Sequence, residues 1–512
     1  MRRPNPPRGS WNRQYQRQYS RGAKALGDTN ASSQRREVTL ERLWDKLQAY
    51  GSGDWYPYHM PGHKRNGWGA LPPELAKLDI TEIDGFDNLH QPEDLIKRLQ
   101  QQAAVICGAE ESFYLVNGSS CGVLAAISAA VPQGGKLLMA RNCHKSAYHA
   151  VYLRGLEAEY LYPNLLPDYD ICDAITPEQV KEALLRDPSV SAVLIVSPTY
   201  EGRIADVQGI AQVVHSYGIP LIVDEAHGAH LNFAQYFAEY RLTNSNLAGA
   251  DLVVQSTHKT LPALTQTALL HVNGRIIRRD RLRRFLQIYQ TSSPSYPLMA
   301  SIDNCLSYTA QYGRESFQQF EARFLKLLQE LESLQKLRIL RGDDRQDIGK
   351  LVISVRGTNC NGKQLYERLL QQYHLQPEMA AETYCLAMFT VGDRQEGYDR
   401  MRDALLVTDR QLESCREFET ERENLPFVKA SNRVIGLAKA WDSKVEWRYP
   451  EECQGCVSGG FVSLYPPGIP LLVPGEKIEE EHIKAINRWL TMGLSVTGIR
   501  MEEEHCSLAV LV

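Results

Sequence analysis

Short apolar runs alternate with amphipathic stretches over much of this chain. The runs Ser112–Val116, Lys136–Ala140, Glu159–Tyr162, Ala192–Ser197, Pro220–Val223, Leu252–Val254 and Ala268–Val272 have strand length. Helices lie between them. One spans Pro177 to Leu185, with Thr176 as N-cap, Pro177 first and Gln179 completing a capping box. Gly218 closes another that starts near Val207. This alternation predicts an α/β fold with a mostly parallel sheet covered by helices on both faces.

The flanks read differently. Val38 to Tyr50 forms a helix with Leu40, Leu43, Trp44 and Leu47 on one face. Pro92-Glu93-Asp94 opens a second helix, continued by Leu95, Leu99, Ala103 and Cys107. A long amphipathic helix from Glu315 to about Leu337 leads into a smaller α+β region. There Leu351–Val355 and Ala387–Val391 read as strands, with helices near 362–372, 395–416 and from Glu479 to Trp489. Four regions result: a basic tail at 1–37, a helix and linker at 38–92, a large domain at 93–312 and the C-terminal α+β region at 313–512.

Composition narrows the class. With 512 residues, 43% hydrophobic and 23% charged, the chain suits a soluble multidomain protein. Net charge is −4, so nothing global argues for nucleic acid. No apolar run reaches the roughly 18–20 residues of a membrane span, and no secretory h-region opens the chain. Eleven scattered cysteines suit a reduced, cytoplasmic setting. Cys453-Gln454-Gly455-Cys456 lacks a second ligand pair, so no metal site is expected. Residues 1–36 carry nine Lys/Arg and one acid, Asp28, with too few apolar residues to bury a face. A dispensable disordered tail leads three readings; the others are an RNA or acidic-partner arm and a transit peptide.

The chemistry gathers at predicted strand ends. Leu252–Val254 delivers Ser256-Thr257-His258-Lys259, and Pro220–Val223 delivers Asp224-Glu225-Ala226-His227-Gly228. A lysine and an aspartate so placed are what pyridoxal phosphate requires. The amine forms a Schiff base with the aldehyde, and the carboxylate keeps the pyridine nitrogen protonated. His227 can reach the ring hydroxyl. Asn117-Gly118-Ser119-Ser120 turns a strand into a helix, where backbone N–H groups and the Ser119 and Ser120 hydroxyls meet an anion. Ser256 and His258 add phosphate contacts. His144, after another strand, can stack on a flat ring and contact a substrate carboxylate. Taken singly, each has a bland reading as an ordinary turn, structural histidine or surface lysine; their convergence favours the cofactor site.

These residues resemble the bacterial fold-type-I decarboxylases of ornithine, lysine and arginine. The attachment motif reads Ser256-Thr257-His258-Lys259, followed by Thr265-Gln266-Thr267-Ala268, with Pro262 departing from the usual small residue. His59 to Lys64, Asp79-Ile80-Thr81-Glu82, Asn142 to Ser146, Ser292 to Pro297, Tyr465 to Pro470 and Pro474-Gly475-Glu476 extend the likeness over about 38–480. It implies a seven-stranded, fold-type-I transferase-like domain. Lys259 takes the Schiff-base position, Asp224 the pyridine-nitrogen partner, His144 the stacking histidine, and Ser119, Ser120, Ser256 and His258 the phosphate ligands. Ser292 and Ser293 fall where the family reaches into a neighbouring subunit, which implies a homodimer or larger homo-oligomer.

The implied reaction is decarboxylation of a basic amino acid, with arginine ranked before lysine and ornithine. The short architecture has no room for a receiver-like domain, which favours the biosynthetic branch and polyamine synthesis. Carboxylates should hold the distal cation, and Glu82, Asp84, Asp87 and Glu382 are the candidates. The alternatives are another fold-type-I enzyme, an aminotransferase or 2-amino-3-oxo-acid synthase, or a catalytically silent regulatory homologue.

Overall fold

Seven apolar runs become one sheet in the computed structural model: β1 Glu111–Leu115, β2 Lys136–Ala140, β3 Glu157–Leu161, β4 Ala192–Val196, β5 Leu221–Asp224, β6 Leu252–Gln255 and β7 Ala268–Val272. The structure describes residues 41–65, 72–341, 345–415, 432–466, 468–502 and 505–512. The predicted tail and the residues from Val38 to Leu40 lie outside them. The strand order is β1-β7-β6-β5-β4-β2-β3. β7 runs antiparallel to both neighbours; the other pairs are parallel. All four residues of β5 and of β6 are buried, as expected for central strands covered on both faces.

The helices dock through apolar faces. α1 Leu95–Cys107 buries Leu95, Leu99, Ala103 and Cys107. It begins after the Pro92-Glu93-Asp94 signal because Asp87, from upstream, takes the cap. The Asp87 carboxylate accepts N–H bonds from Glu93, Asp94 and Ile96 at 2.9–3.0 Å. α2 Gly118–Ala130 is apolar almost all round and lies in the core. Gly122 lets it lie close: a Cβ there would sit 2.6 Å from Leu115 Cδ1 and 2.8 Å from Val254 Cγ1. The capping box of Thr176 and Gln179 forms as read from the sequence, on α3 Pro177–Arg186.

Several bounds change: the strand read as Ala387–Val391 is Tyr384–Met388, and the helix read near 395–416 is Gln395–Gln411. The long helix α4 runs Tyr296–Glu330, starting well before Glu315 and ending before Leu337. Its first half hides a buried acid, Asp303, which accepts the Leu43 N–H at 3.2 Å and pairs with Arg42. The polar residue interrupts the apolar stripe while serving a neighbouring helix.

Beyond α4, β8 Arg338–Ile339, β9 Lys350–Ser354, β10 Met379–Ala380 and β11 Tyr384–Met388 form an antiparallel sheet in the order β8-β9-β11-β10. Helices Gly362–Tyr373 and Gln395–Gln411 accompany it. The C-terminal part adds two small three-stranded sheets and helix Glu480–Thr491. A buried ion pair ties this part to the large sheet. Arg141, just after β2, meets Glu476 at 3.1 Å, each about 1% exposed.

Candidate active site

Strand register brings the two predicted chemical ends together. Asp224 pairs with Val254 across β5 and β6, so the residues leaving both strands emerge side by side. The chain after β6 turns into one helical turn, Thr257–Thr260, which carries Lys259. Asp224 is 6% exposed. Its Oδ1 accepts the Ala226 N–H at 3.2 Å. Burial pushes its pKa up, and Lys259 draws it back down. Burial likewise holds Lys259 below an ordinary lysine, against the pull of Asp224 and Glu378.

His144 caps helix Lys145–Arg154, accepting the Ser146 N–H at Nδ1, 3.3 Å away. That leaves Nε2 to carry the proton of the neutral ring. Burial, then Lys259, Lys145 and His149, bring its pKa down to about 4, so the ring is neutral at physiological pH.

The phosphate candidates flank the same sheet end. Gly118, at φ +74°, makes the left-handed turn into α2, with Ser119 half-buried and Ser120 exposed. Across from it, the Gln266 amide donates to the Val116 carbonyl. Ser256 is fully buried, and its hydroxyl has no hydrogen-bond partner among the described residues. An orphaned buried hydroxyl costs about 1–3 kcal/mol unless a ligand satisfies it. His258 Nδ1 lies 2.8 Å from the Thr267 carbonyl and must therefore carry a proton. A phosphate contact through its Nε2 then requires the imidazolium. Burial opposes that form and an anion favours it.

Around His227, read from the sequence as reaching the ring hydroxyl, stand three participants that were not foreseen: Lys350, Tyr200 and Glu378. His227 is 6% exposed and lies between two lysines. Its Nε2 is 3.1 Å from Lys259 Nζ, and its Nδ1 is 2.8 Å from Lys350 Nζ. Lys350 opens β9 and is itself 3% exposed. Tyr200 packs tilted against His227, with centroids 4.7 Å apart and 59° between the ring planes, and donates its hydroxyl to Glu378 at 2.5 Å. The signal for Lys350 was a lysine bordering an apolar run, as at Lys259, but placed ahead of the run instead of after it. Glu378 leaves no local signal.

Two acids offered for the distal cation are engaged elsewhere. Asp87 caps α1. Glu382 accepts the Trp489 indole N–H at 2.5 Å and pairs with Arg488 at 2.7 Å, fastening the C-terminal helix. Ser292 and Ser293 are exposed in the loop before α4.

A lysine, an aspartate and a histidine at adjoining strand ends, with an orphaned hydroxyl and a helix N-terminus, fit pyridoxal phosphate and define a fold-type-I enzyme of that cofactor. The comparisons agree. The sequence matches the Orn/Lys/Arg decarboxylase major domain over residues 42–377 and the C-terminal domain of the same family over 436–497. The chain belongs to this family and is a pyridoxal-phosphate-dependent amino-acid decarboxylase. It is 33% identical to the uncharacterized protein YaaO of Bacillus subtilis, covering 89% of this chain and 95% of that one. It is 30% identical to a Bacillus subtilis arginine decarboxylase with the same coverage. The crystal structure of Francisella novicida lysine decarboxylase LdcF superposes with a TM-score of 0.80 at 17% identity, covering 93% of this chain and 82% of that one.

Proposed function

We propose that this enzyme releases the α-carboxylate of a basic amino acid as carbon dioxide, leaving the corresponding amine, and that it serves polyamine synthesis in the cytoplasm. The convergence of Lys259, Asp224, His144 and the orphaned Ser256 hydroxyl on one sheet end carries this reading. Bound pyridoxal phosphate supplies the electron sink. Lys259 anchors it and afterwards moves a proton as a free amine. Asp224, buried and facing Lys259's charge, keeps a cationic ring nitrogen paired. Neutral His144 covers the ring and meets the substrate carboxylate through its Nε2–H. Ser119, Ser120, Ser256 and His258 hold the phosphate. Ser292 and Ser293, exposed before α4, contribute to the neighbouring site of a homodimer.

Arginine ranks first among substrates. The Bacillus subtilis arginine decarboxylase matches 89% of this chain, whereas the Escherichia coli constitutive lysine decarboxylase matches 46% of it at 27% identity. Glu378 is the carboxylate best placed for the distal cation. It is exposed, is held by Tyr200, and acts electrostatically on both Lys259 and Lys350.

Carbon dioxide release over arginine, lysine, ornithine and norleucine tests this. One basic amino acid should lead, norleucine should be far slower, and Glu378→Gln should raise KM for the leader about tenfold or more. Norleucine turnover equal to that of the leader would remove the acidic end of the pocket. Silence with all three basic amino acids would overturn the substrate class. Borohydride should fix the cofactor to Lys259; an adduct mapped to another lysine would refute the anchor.

A further inference from the structure

Lys259, His227 and Lys350 stand in a row, two amines on the two nitrogens of one ring, at 3.1 and 2.8 Å. Proton counting limits what this row can hold. A neutral imidazole has one N–H and one lone pair. An ammonium only donates. With a neutral ring, both hydrogen bonds therefore form only when the lysine facing the ring N–H is a free amine; the other lysine, ammonium or amine, donates to the ring lone pair. Two ammonium groups would leave one N–H facing an N–H.

The surroundings give either end a reason to hold the charge. Asp224 and Glu378 act on Lys259. Asp347, Glu378 and Glu201 act on Lys350. Asp347 is bound to His230 at 2.7 Å and Glu201 accepts the Tyr384 hydroxyl at 2.8 Å; among the described residues neither forms an ion pair with Lys350. The other groups near His227 are His144 and His230, which disfavour its charged form, as do both lysines. Lys350 Nζ also meets the Tyr200 carbonyl at 3.5 Å and Met388 Sδ at 3.7 Å, and lies over the Tyr200 ring, 6.0 Å from its centroid. The space is shaped for this side chain: a Cβ on Gly202 would fall 2.7 Å from Lys350 Cγ.

We propose that Lys350 is a positioning residue that takes the proton of Lys259 through His227, so that Lys259 becomes a free amine whenever it must attack an aldehyde. Lys259 gives one proton to His227 Nε2, while His227 Nδ1–H gives one to Lys350 Nζ. One proton moves in net terms, no electrons move, and His227 ends neutral with its tautomer exchanged. The reverse transfer returns the proton to Lys259. This rests on Lys259 being the cofactor lysine.

The test uses full-length apo-protein with pyridoxal phosphate as probe, following capture by absorbance from pH 6 to 10 and mapping the borohydride-reduced peptide. Lys350→Met, and Lys350→Gln as a second neutral replacement, should move the midpoint of the capture profile up by at least one pH unit. His227→Phe should do the same, because it cuts the path while leaving the Lys350 charge in place. The double variant should shift no further than either single one. A raised midpoint in the Lys350 variants with an unchanged or lowered one in His227→Phe would reduce the link to charge repulsion and overturn the relay. Capture at Lys259 with unshifted midpoints throughout would overturn the relay alone. Wild-type capture at another lysine would overturn the anchor, and the relay with it.

Discussion

Two buried cationic clusters flank the central sheet, and they are built on opposite plans. At Arg141 a counter-ion and several acceptors meet the charge, although the guanidinium Nε has no partner among the described residues. Glu476 lies at 3.1 Å, the Pro470 and Leu471 carbonyls accept at 2.7 and 3.2 Å, and Tyr148 accepts at 2.9 Å. Glu476 in turn accepts the Val473 N–H at 2.9 Å. At Lys259 and Lys350 no carboxylate forms an ion pair among the described residues, and a neutral ring lies between the amines. Both clusters occupy low-dielectric space, where an unpaired charge is costly. The first spends its charge on joining the C-terminal part to β2. The second keeps two amines poorly neutralised and therefore reactive. A buried charge alone thus says little about function; the presence of a paired counter-ion separates a fastening from a reactive group.

Breaking the Arg141 cluster should have the largest effect. Glu476→Ala leaves the Arg141 guanidinium buried without its counter-ion, with an expected loss of about 3–5 kcal/mol of stability. Urea unfolding of the apo-protein checks this. A loss under about 1 kcal/mol would mean that the carbonyl acceptors alone suffice to hold the buried guanidinium.

The sequence made the reactive cluster half visible. Asp224, His144 and Lys259 each follow an apolar run, so strand periodicity placed them at strand ends, and parallel pairing then forced them together. Lys350 instead precedes its apolar run, and the run Leu351–Val355 left it out, because a charge at the edge of an apolar segment reads as its boundary. In the fold Lys350 is the first residue of β9. Glu378 was beyond local reading. It lies in a loop next to β10, and only the meeting of the two sheets gives it meaning. The distal-cation candidates show the opposite failure. Asp87 and Glu382 are acidic loop residues of the right type, but one caps a helix and the other fastens Trp489 and Arg488. The parallel sheet was legible because its strands are uniformly apolar. The start of α4 was hidden because Asp303 interrupts the stripe to serve another helix.

The lysine cluster should respond in the opposite direction. Burial brings Lys350 to about 8, against 10.5 for a free lysine, a difference of about 3 kcal/mol. Because the folded pKa lies below the unfolded one, the unfolded chain binds more protons between pH 8 and 10.5. Wild-type stability therefore rises with pH across that window, and the penalty is full below pH 8. Lys350→Met lacks the penalty. It should be more stable than wild type by up to about 3 kcal/mol at pH 7, with the advantage fading as pH approaches 10.5. An apo-variant less stable than wild type at pH 7 would show that the His227 hydrogen bond outweighs the cost of burial.

The smallest expected change in folding comes from Ser256, where the comparison is sharpest. Its hydroxyl is buried with no partner among the described residues, so the apo-protein bears a desolvation cost and gains nothing from it. Ser256→Ala removes one oxygen from a fully buried site and leaves no unpaired group behind. Apo stability should be unchanged or higher by up to about 1 kcal/mol. Pyridoxal phosphate affinity should move the other way. A hydroxyl donating to a phosphate oxygen makes a charge-assisted bond of about 1.5–3 kcal/mol, so the dissociation constant should rise roughly tenfold or more. Fluorescence titration of the apo-protein, paired with its denaturation curve, reads both numbers on one sample. Opposite signs in the two would mark Ser256 as a group held unsatisfied for a ligand. A loss of apo stability with unchanged affinity would place Ser256 with Arg141 among the structural fastenings.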